Sequence, residues 1–204
     1  MKNIKNIIFD LGGVLLDVDY QKTIVAFNRL GIENFEDMYS QFKADELFEK
    51  LETGKLTENE FYTAIKDRTA VQITDKDIEN SWNAMILNFR KDSLDFLEEL
   101  SSEYKIYLLS NTNSIHLKYF QKSFIQETGK PLLDKYFIKA WYSHKLGLRK
   151  PGTAIYEFVL RDERLNASET LFIDDSINNI DAAASVGIKA MLLNKGERIE
   201  NLPL

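Results

Sequence analysis

The chain contains no cysteine. That absence excludes a disulfide scaffold, a thiol nucleophile, a Cys-ligated zinc site and an iron–sulfur cluster. Two histidines among 204 residues leave a multi-histidine metal site without ligands. Three prolines and nine glycines are too few for a collagen-like or low-complexity chain. No apolar run approaches the roughly 18–20 residues a membrane span needs. Lys2 and Lys5 stand before an apolar run from Ile7 to Leu16, a crude likeness to a signal peptide. Asp10 interrupts that run and Gly12-Gly13 follow it, and a carboxylate there is costly in a bilayer. The stretch is therefore not read as a leader, and the cytoplasm is the expected address. There is no Lys/Arg block, and the net charge is −6, so neither nucleic acid nor a membrane surface is an expected partner. A small anionic substrate stays open, because one local site can be positive on an acidic protein.

What is present is ordinary globular composition, 44% hydrophobic and 28% charged, with length for one core and a sizeable insertion. Short apolar runs predict strands at Asn6–Phe9, Lys105–Leu109, Phe137–Tyr142, Thr170–Ile173 and Ala190–Leu193, as in a parallel sheet covered on both faces. Helical patterns lie between them, at Ser93–Glu103, Ser114–Lys122, Thr153–Asp162 and Ile177–Ser185, with Gly187 placed for a left-handed cap. The alternation predicts an α/β fold, an open, doubly wound, Rossmann-like parallel sheet. Residues 18–88 break it: they carry helical periodicities and no convincing strand. Thr57 and Glu60 form a capping-box pattern, and Thr74 is a plausible N-cap for a helix carrying Ile78, Trp82 and Met85. The expectation is a core of residues 1–17 and 89–204 with an inserted all-helical cap over 18–88. Ligands bind beyond the carboxyl ends of strands in such sheets, so an insertion there reads as a lid over a site.

Four constellations fall at predicted strand ends. In Phe9-Asp10-Leu11-Gly12-Gly13 a buried strand ends in a carboxylate, then two glycines let backbone groups approach a ligand. Asp10 could equally be a turn acceptor. In Ser110-Asn111-Thr112-Asn113, hydroxyl and amide groups could grip phosphate oxygens beside a helix N-terminus, or simply cap that helix. In Arg149-Lys150-Pro151, proline pushes Lys150 toward an extended backbone and would open the next helix. Taken alone, Lys150 also reads as a solvated surface lysine. In Ile173-Asp174-Asp175-Ser176, adjacent carboxylates repel unless a cation neutralises them, and hard oxygen ligands suit Mg²⁺. The alternative is that one of them caps the helix. Together the four make chemical sense: a nucleophilic carboxylate, neutral donors, a cation and a metal-binding acid pair, arranged for charge on a phosphoryl group in flight.

In that order, these stretches resemble the four motifs of the haloacid dehalogenase-like (HAD) phosphohydrolases, and the insertion resembles that family's C1-type cap. Phe9–Asp17, Leu109–Asn113, Leu146–Pro151 and Phe172–Asn179 are most similar to small sugar-phosphate phosphatases. The likeness to bacterial α-D-glucose-1-phosphate phosphatases extends through Glu52-Thr53-Gly54-Lys55-Leu56. The resemblance implies Asp10 as nucleophile, forming an aspartyl-phosphate, with Asp10, Asp174, Asp175 and the Gly12 carbonyl as Mg²⁺ ligands. It implies phosphate binding by Gly12, Ser110, Asn111 and Lys150, with Ser110 and Lys150 counted in the catalytic set. Asn179 would steady the Asp174–Asp175 turn. The expected partner is a small phosphate ester, and the expected assembly a monomer or small homo-oligomer.

One position departs from the pattern. Many members carry a second Asp two places after the nucleophile as general acid and base, and this chain has Gly12 there. Two other functions stand beside phosphomonoester hydrolysis: a metal-free dehalogenase of the same superfamily, which the acid pair argues against, and a catalytically weakened phosphate-binding protein, which Gly12 alone supports. Candidates for substrate choice in the cap are Asp17, Asp19, Glu46, Glu52 and Trp82. Each could equally be surface or core, and Trp82, on an apolar face with Ile78 and Met85, reads as core.

Overall fold

A computed structural model describes residues 3–33, 35–40 and 43–204. Five parallel strands make the central sheet: β1 (Asn6–Phe9), β6 (Lys105–Ser110), β7 (Lys139–Tyr142), β8 (Thr170–Asp174) and β9 (Lys189–Leu192), in the order β7-β6-β1-β8-β9. Period-two alternation sorts their side chains. Ile7, Phe9, Leu108 and Ile173 face one hydrophobic cluster, with Leu94 and Leu97 of α5 (Lys91–Leu100) and Phe120 and Phe124 of α6 (Ser114–Thr128). Ile8, Tyr107, Leu109 and Phe172 face the other, with Ile155 and Val159 of α8 (Thr153–Asp162) and Ile180 and Ala183 of α9 (Ile177–Ser185). A strand buried on both faces must be apolar throughout, which is why these runs were legible.

Helices α1 (Tyr20–Arg29), α2 (Glu46–Glu52), α3 (Glu58–Lys66) and α4 (Asp75–Asn83) form the inserted layer. Both capping patterns are present, Thr57 with Glu60 and Thr74 with Asp77. Trp82 is fully buried, its ring centroid 5.0 Å from Phe48 and 4.7 Å from Tyr39, and it stacks on His116 of α6 at 4.5 Å. Its core reading holds.

The insertion is not strand-free. β2 (Leu16–Val18) pairs antiparallel with β5 (Ile86–Phe89), and β3 (Tyr39–Ser40) pairs with β4 (Lys43–Ala44). These strands are two to four residues long, too short to show a period of two; β2 meets β5 because the two chain crossings into the insertion lie side by side, whereas β3 and β4 pair within it. Pro151 does not open the next helix either. The Lys150–Pro151 peptide is cis, the Gly152 N–H donates to the Arg149 carbonyl at 3.1 Å, and α8 starts only at Thr153. No helix among the described residues is long and apolar enough to cross a membrane.

Candidate active site

β1 is central, with β6 on one side and β8 on the other. The residues just past their carboxyl ends therefore converge, at the place where open α/β sheets carry ligands. Asp10 follows β1, Ser110 ends β6 and Asp174 ends β8. Lys150, which follows α7 (Ser143–Leu146), reaches across: its Nζ lies 2.8 Å from Asp10 Oδ1 and 2.6 Å from Asp174 Oδ2. Lys150 is only 1% exposed, so the surface-lysine alternative is excluded.

Asp10, Asp174 and Asp175 can each present an oxygen within 4.8 Å of the others. With all three ionised, three negative charges face the one positive charge of Lys150. Burial pushes the Asp10 carboxyl up to about 7; Lys150 opposes the rise, and Asp174 and Asp175 add to it. Asp175 is pushed up to about 6 by burial and by Asp174. Burial works against the charge on Lys150, but Asp10 and Asp174 outweigh it and hold its proton above the ordinary lysine range. A buried, oxygen-only donor set with surplus negative charge fits a small hard divalent cation, and Mg²⁺ suits it.

Neighbouring groups fix this geometry. Asp174 Oδ1 accepts from the Ser176 N–H at 2.8 Å, and Asn179 Nδ2 donates to both Asp174 oxygens at 3.0 Å. Gly13 has φ +73°, and a Cβ on it would lie 2.1 Å from Asp175 Oδ2, so only glycine lets that carboxylate approach. Gly12 lines a cleft of about 610 Å³ with Asp17, Tyr20, Arg90, Asp175 and Arg198. The Ser110 hydroxyl is buried and, among the described residues, makes only a long 3.4 Å bond to the Asn111 carbonyl, which leaves it available to a ligand.

Asn111 differs from the sequence-based expectation. Its Nδ2 donates to the Lys150 carbonyl at 2.8 Å, and its Oδ1 accepts from the Lys150 N–H at 2.9 Å. The side chain holds the lysine in place, and what it has left for a phosphate is its backbone N–H and one amide hydrogen. Nothing in the spacing of residues 39 positions apart signals this pair.

The five cap candidates separate cleanly. Asp17 is ion-paired with Arg90 at 2.7 Å, Asp19 caps α1 through the Gln21 N–H, and Glu46 pairs with Lys50 on the surface. Trp82 is core. Glu52 is buried; its Oε1 accepts from the Tyr39 hydroxyl at 2.9 Å, and its Oε2 lies 2.9 Å from Arg149 Nε. Burial raises its proton affinity, with Arg149 and Tyr39 opposing. Tyr20, Tyr39 and Arg149 had no sequence signal of their own; only the fold brings them beside Glu52.

The model of the haloacid dehalogenase-like hydrolases matches residues 4–187. A D-ribitol-5-phosphate phosphatase from Bacteroides thetaiotaomicron is 33% identical over 95% of this chain and 93% of its own. A crystal structure of a HAD family enzyme from the same organism, in complex with magnesium and inorganic phosphate, is 34% identical with a TM-score of 0.88. It covers 98% of this chain and all of its own. A predicted HAD-like hydrolase from Porphyromonas gingivalis is 30% identical with a TM-score of 0.86, over 96% of this chain and 93% of its own. The chain belongs to the haloacid dehalogenase-like hydrolases.

Proposed function

We propose that this protein is a Mg²⁺-dependent phosphomonoesterase acting on small phosphorylated sugars or polyols through an aspartyl-phosphate on Asp10. The observation that carries the reading is buried Lys150 paired at once with Asp10 and Asp174, beside a third carboxylate. When held by Asp10, Asp174, Asp175 and the Gly12 carbonyl, Mg²⁺ supplies positive charge that offsets the phosphoryl oxygens. Lys150 keeps its proton and adds a second positive charge, and the Ser110 hydroxyl and the backbone N–H of Asn111 donate to the oxygens. A carboxylate oxygen of Asp10 forms a bond to phosphorus as the ester P–O bond breaks, and the leaving oxygen takes its proton from water as the alcohol departs. Water then attacks phosphorus, the Asp10–phosphorus bond breaks, and phosphate departs. Asn111 and Asn179 hold Lys150 and Asp174 in register throughout. Residues 18–88 act as a C1-type cap that excludes bulk water during transfer.

Two observations bear on the ester. Gly12 offers no acid to a leaving group, which favours glucose 1-phosphate, whose anomeric hydroxyl leaves more readily than a primary one. The ribitol-5-phosphate activity of the 33% identical relative favours a polyol phosphate. Phosphate release from phenyl phosphate, glucose 1-phosphate, glucose 6-phosphate and ribitol 5-phosphate, with Mg²⁺ and with EDTA, decides among them. Release should need Mg²⁺, and Asp10→Asn should lose several orders of magnitude in turnover. An Asp10→Asn protein keeping a tenth of the activity would remove the nucleophile assignment. Chloride release from haloacids in EDTA, without phosphate release, would point to a dehalogenase instead. Phosphate binding without any release would point to a binding protein.

A further inference from the structure

We infer that the Tyr20 hydroxyl, on the inserted layer's side of the cleft, donates a hydrogen bond to the ester oxygen that leaves, where Gly12 has no side chain to offer one. The inference deepens the proposed function and rests on it. Tyr20 is the first residue of α1, and it lines the cleft of about 610 Å³ with Gly12 and Asp175. Asp19 before it is extended, at φ −130° and ψ 93°, so the side chains of Val18 and Tyr20 leave the chain on the same face. Val18 is the residue that a Cβ on Gly12 would meet, at 3.3 Å. Tyr20 therefore stands on the side of the cleft toward which a side chain at position 12 would project. Its ring is half-buried against the hydrophobic cluster, 6.1 Å from the ring of Tyr39, which fixes it in place. Its hydroxyl makes no hydrogen bond among the described residues, and it is not sealed in as Trp82 Nε1 and His116 Nε2 are.

Other donors around this cleft are engaged or peripheral. Arg90 donates to Asp17 and to the Val14 carbonyl, Arg198 lies 3.6 Å from Asp17, and Asn194 donates to Glu197. Gln21 and Lys195 are exposed. Tyr20 is near the chemistry: its phenol feels the charge of Asp175, Asp10 and Asp174. Burial above all, and then those carboxylates with Glu52, hold its proton above the ordinary tyrosine range, so it stays a neutral donor. As the P–O bond breaks, negative charge gathers on the leaving oxygen. A hydrogen bond to that oxygen strengthens as the charge grows, so it lowers the barrier more than it tightens substrate binding. Tyr20 keeps its own proton, and the proton that completes the alcohol comes from water. The donor also rides on the inserted layer, whereas Lys150 and Ser110 belong to the sheet domain, so the leaving oxygen meets it only when that layer is seated.

The test is Tyr20→Phe, which removes one hydroxyl and keeps the ring. It is measured on esters whose leaving groups differ in basicity: the better of ribitol 5-phosphate and glucose 6-phosphate, then phenyl phosphate, then 4-nitrophenyl phosphate. On the alkyl ester kcat should fall by about 10–30-fold, the range for a hydrogen bond to a charged oxygen. On 4-nitrophenyl phosphate it should change less than about twofold, because that leaving oxygen shares its charge with the ring. Phenyl phosphate should fall between the two. KM should stay within about twofold on each ester, since the bond forms in the transition state. The Mg²⁺ concentration giving half the maximal rate should not move. Tyr39→Phe, which removes the neighbouring hydroxyl, should leave the spread among the esters as it is in the wild type. Equal losses on all the esters, or a weakened response to Mg²⁺, would show that Tyr20 orients the acid cluster instead, and would overturn the inference. A loss confined to KM would make Tyr20 a binding contact and overturn it as well, as would no loss on any ester. Those results leave the proposed function standing. A wild-type protein that cleaves none of the esters with Mg²⁺ would bring down the proposed function and this inference together.

Discussion

Gly12 and Gly13 are neighbours with different physical duties. Gly13 needs its left-handed backbone and its missing Cβ, because Asp175 occupies that space. Gly12 needs neither: among the described residues a Cβ there would meet only Val18 Cγ2, at 3.3 Å, a contact that a smaller residue at 18 would relieve. The acid missing at position 12 can therefore be supplied. Asp17 and Asp19 do not obviously replace it, since one is ion-paired with Arg90 and the other caps α1. Gly12→Asp combined with Val18→Ala should raise kcat/KM for glucose 6-phosphate more than for glucose 1-phosphate, because the primary alcohol needs protonation more. General acid help is typically worth about 10²–10⁴-fold, so a gain of about tenfold on the 6-phosphate is a modest expectation. An equal gain on both esters, or a wild-type preference for the 6-phosphate, would show that leaving-group acidity does not govern selection.

Between elements, the inserted layer meets the sheet domain where α2 lies against α7 and where α4 lies against α6. The turn after α2 brings Gly54, at φ +65°, so close to the core that a Cβ would lie 2.2 Å from the His144 carbonyl oxygen. Backbone cannot retreat as a flexible side chain can, so Gly54→Ala must lift the turn. We expect a stability loss of about 1–3 kcal/mol, in the usual range for a strained glycine site, visible as a lower Tm. Activity on phenyl phosphate and on a sugar phosphate should fall by the same factor, since both need the layer seated. A selective loss on the sugar phosphate would show that this turn reads the substrate itself. On the opposite side, β2 and β5 carry the chain in and out, and Arg90 ties them to the core by donating to the Val14 carbonyl and to Asp17.

At the scale of the molecule, the acid cluster works against stability when no cation is bound. Asp10 rises from 3.8 to about 7 and Asp175 from 3.8 to about 6 in the folded protein. Groups raised in this way stabilise the fold fully below their unfolded pKa, and that contribution is lost as pH rises through the folded values. In EDTA the protein should therefore lose stability between about pH 4 and pH 7, by about a few kcal/mol. Mg²⁺ should raise Tm more at pH 8 than at pH 5, because the ionised acids bind it. Asp10→Asn should be more stable than wild type in EDTA at pH 8 and show a flatter profile. Identical wild-type and Asp10→Asn profiles would contradict this account. The alternation of apolar runs and helical periods determined the α/β class without any tertiary knowledge, because doubly buried strands have to be apolar and amphipathic helices have to repeat at 3.6 residues. The acids at positions 10, 174 and 175 and the lysine at 150 were legible for a related reason: polar residues at the ends of apolar strands stand out locally. Partnership was not legible. That Asn111 holds the Lys150 backbone, that β2 meets β5, and that Glu52 faces Arg149 are facts about residues 39, about 70 and 97 positions apart. Local pattern carries no information over such separations, so only the packing of the inserted layer on the sheet domain decided that Asp17 and Asp19 line the cleft with Gly12 and Asp175 while Glu52 is paired with Arg149 at the seam.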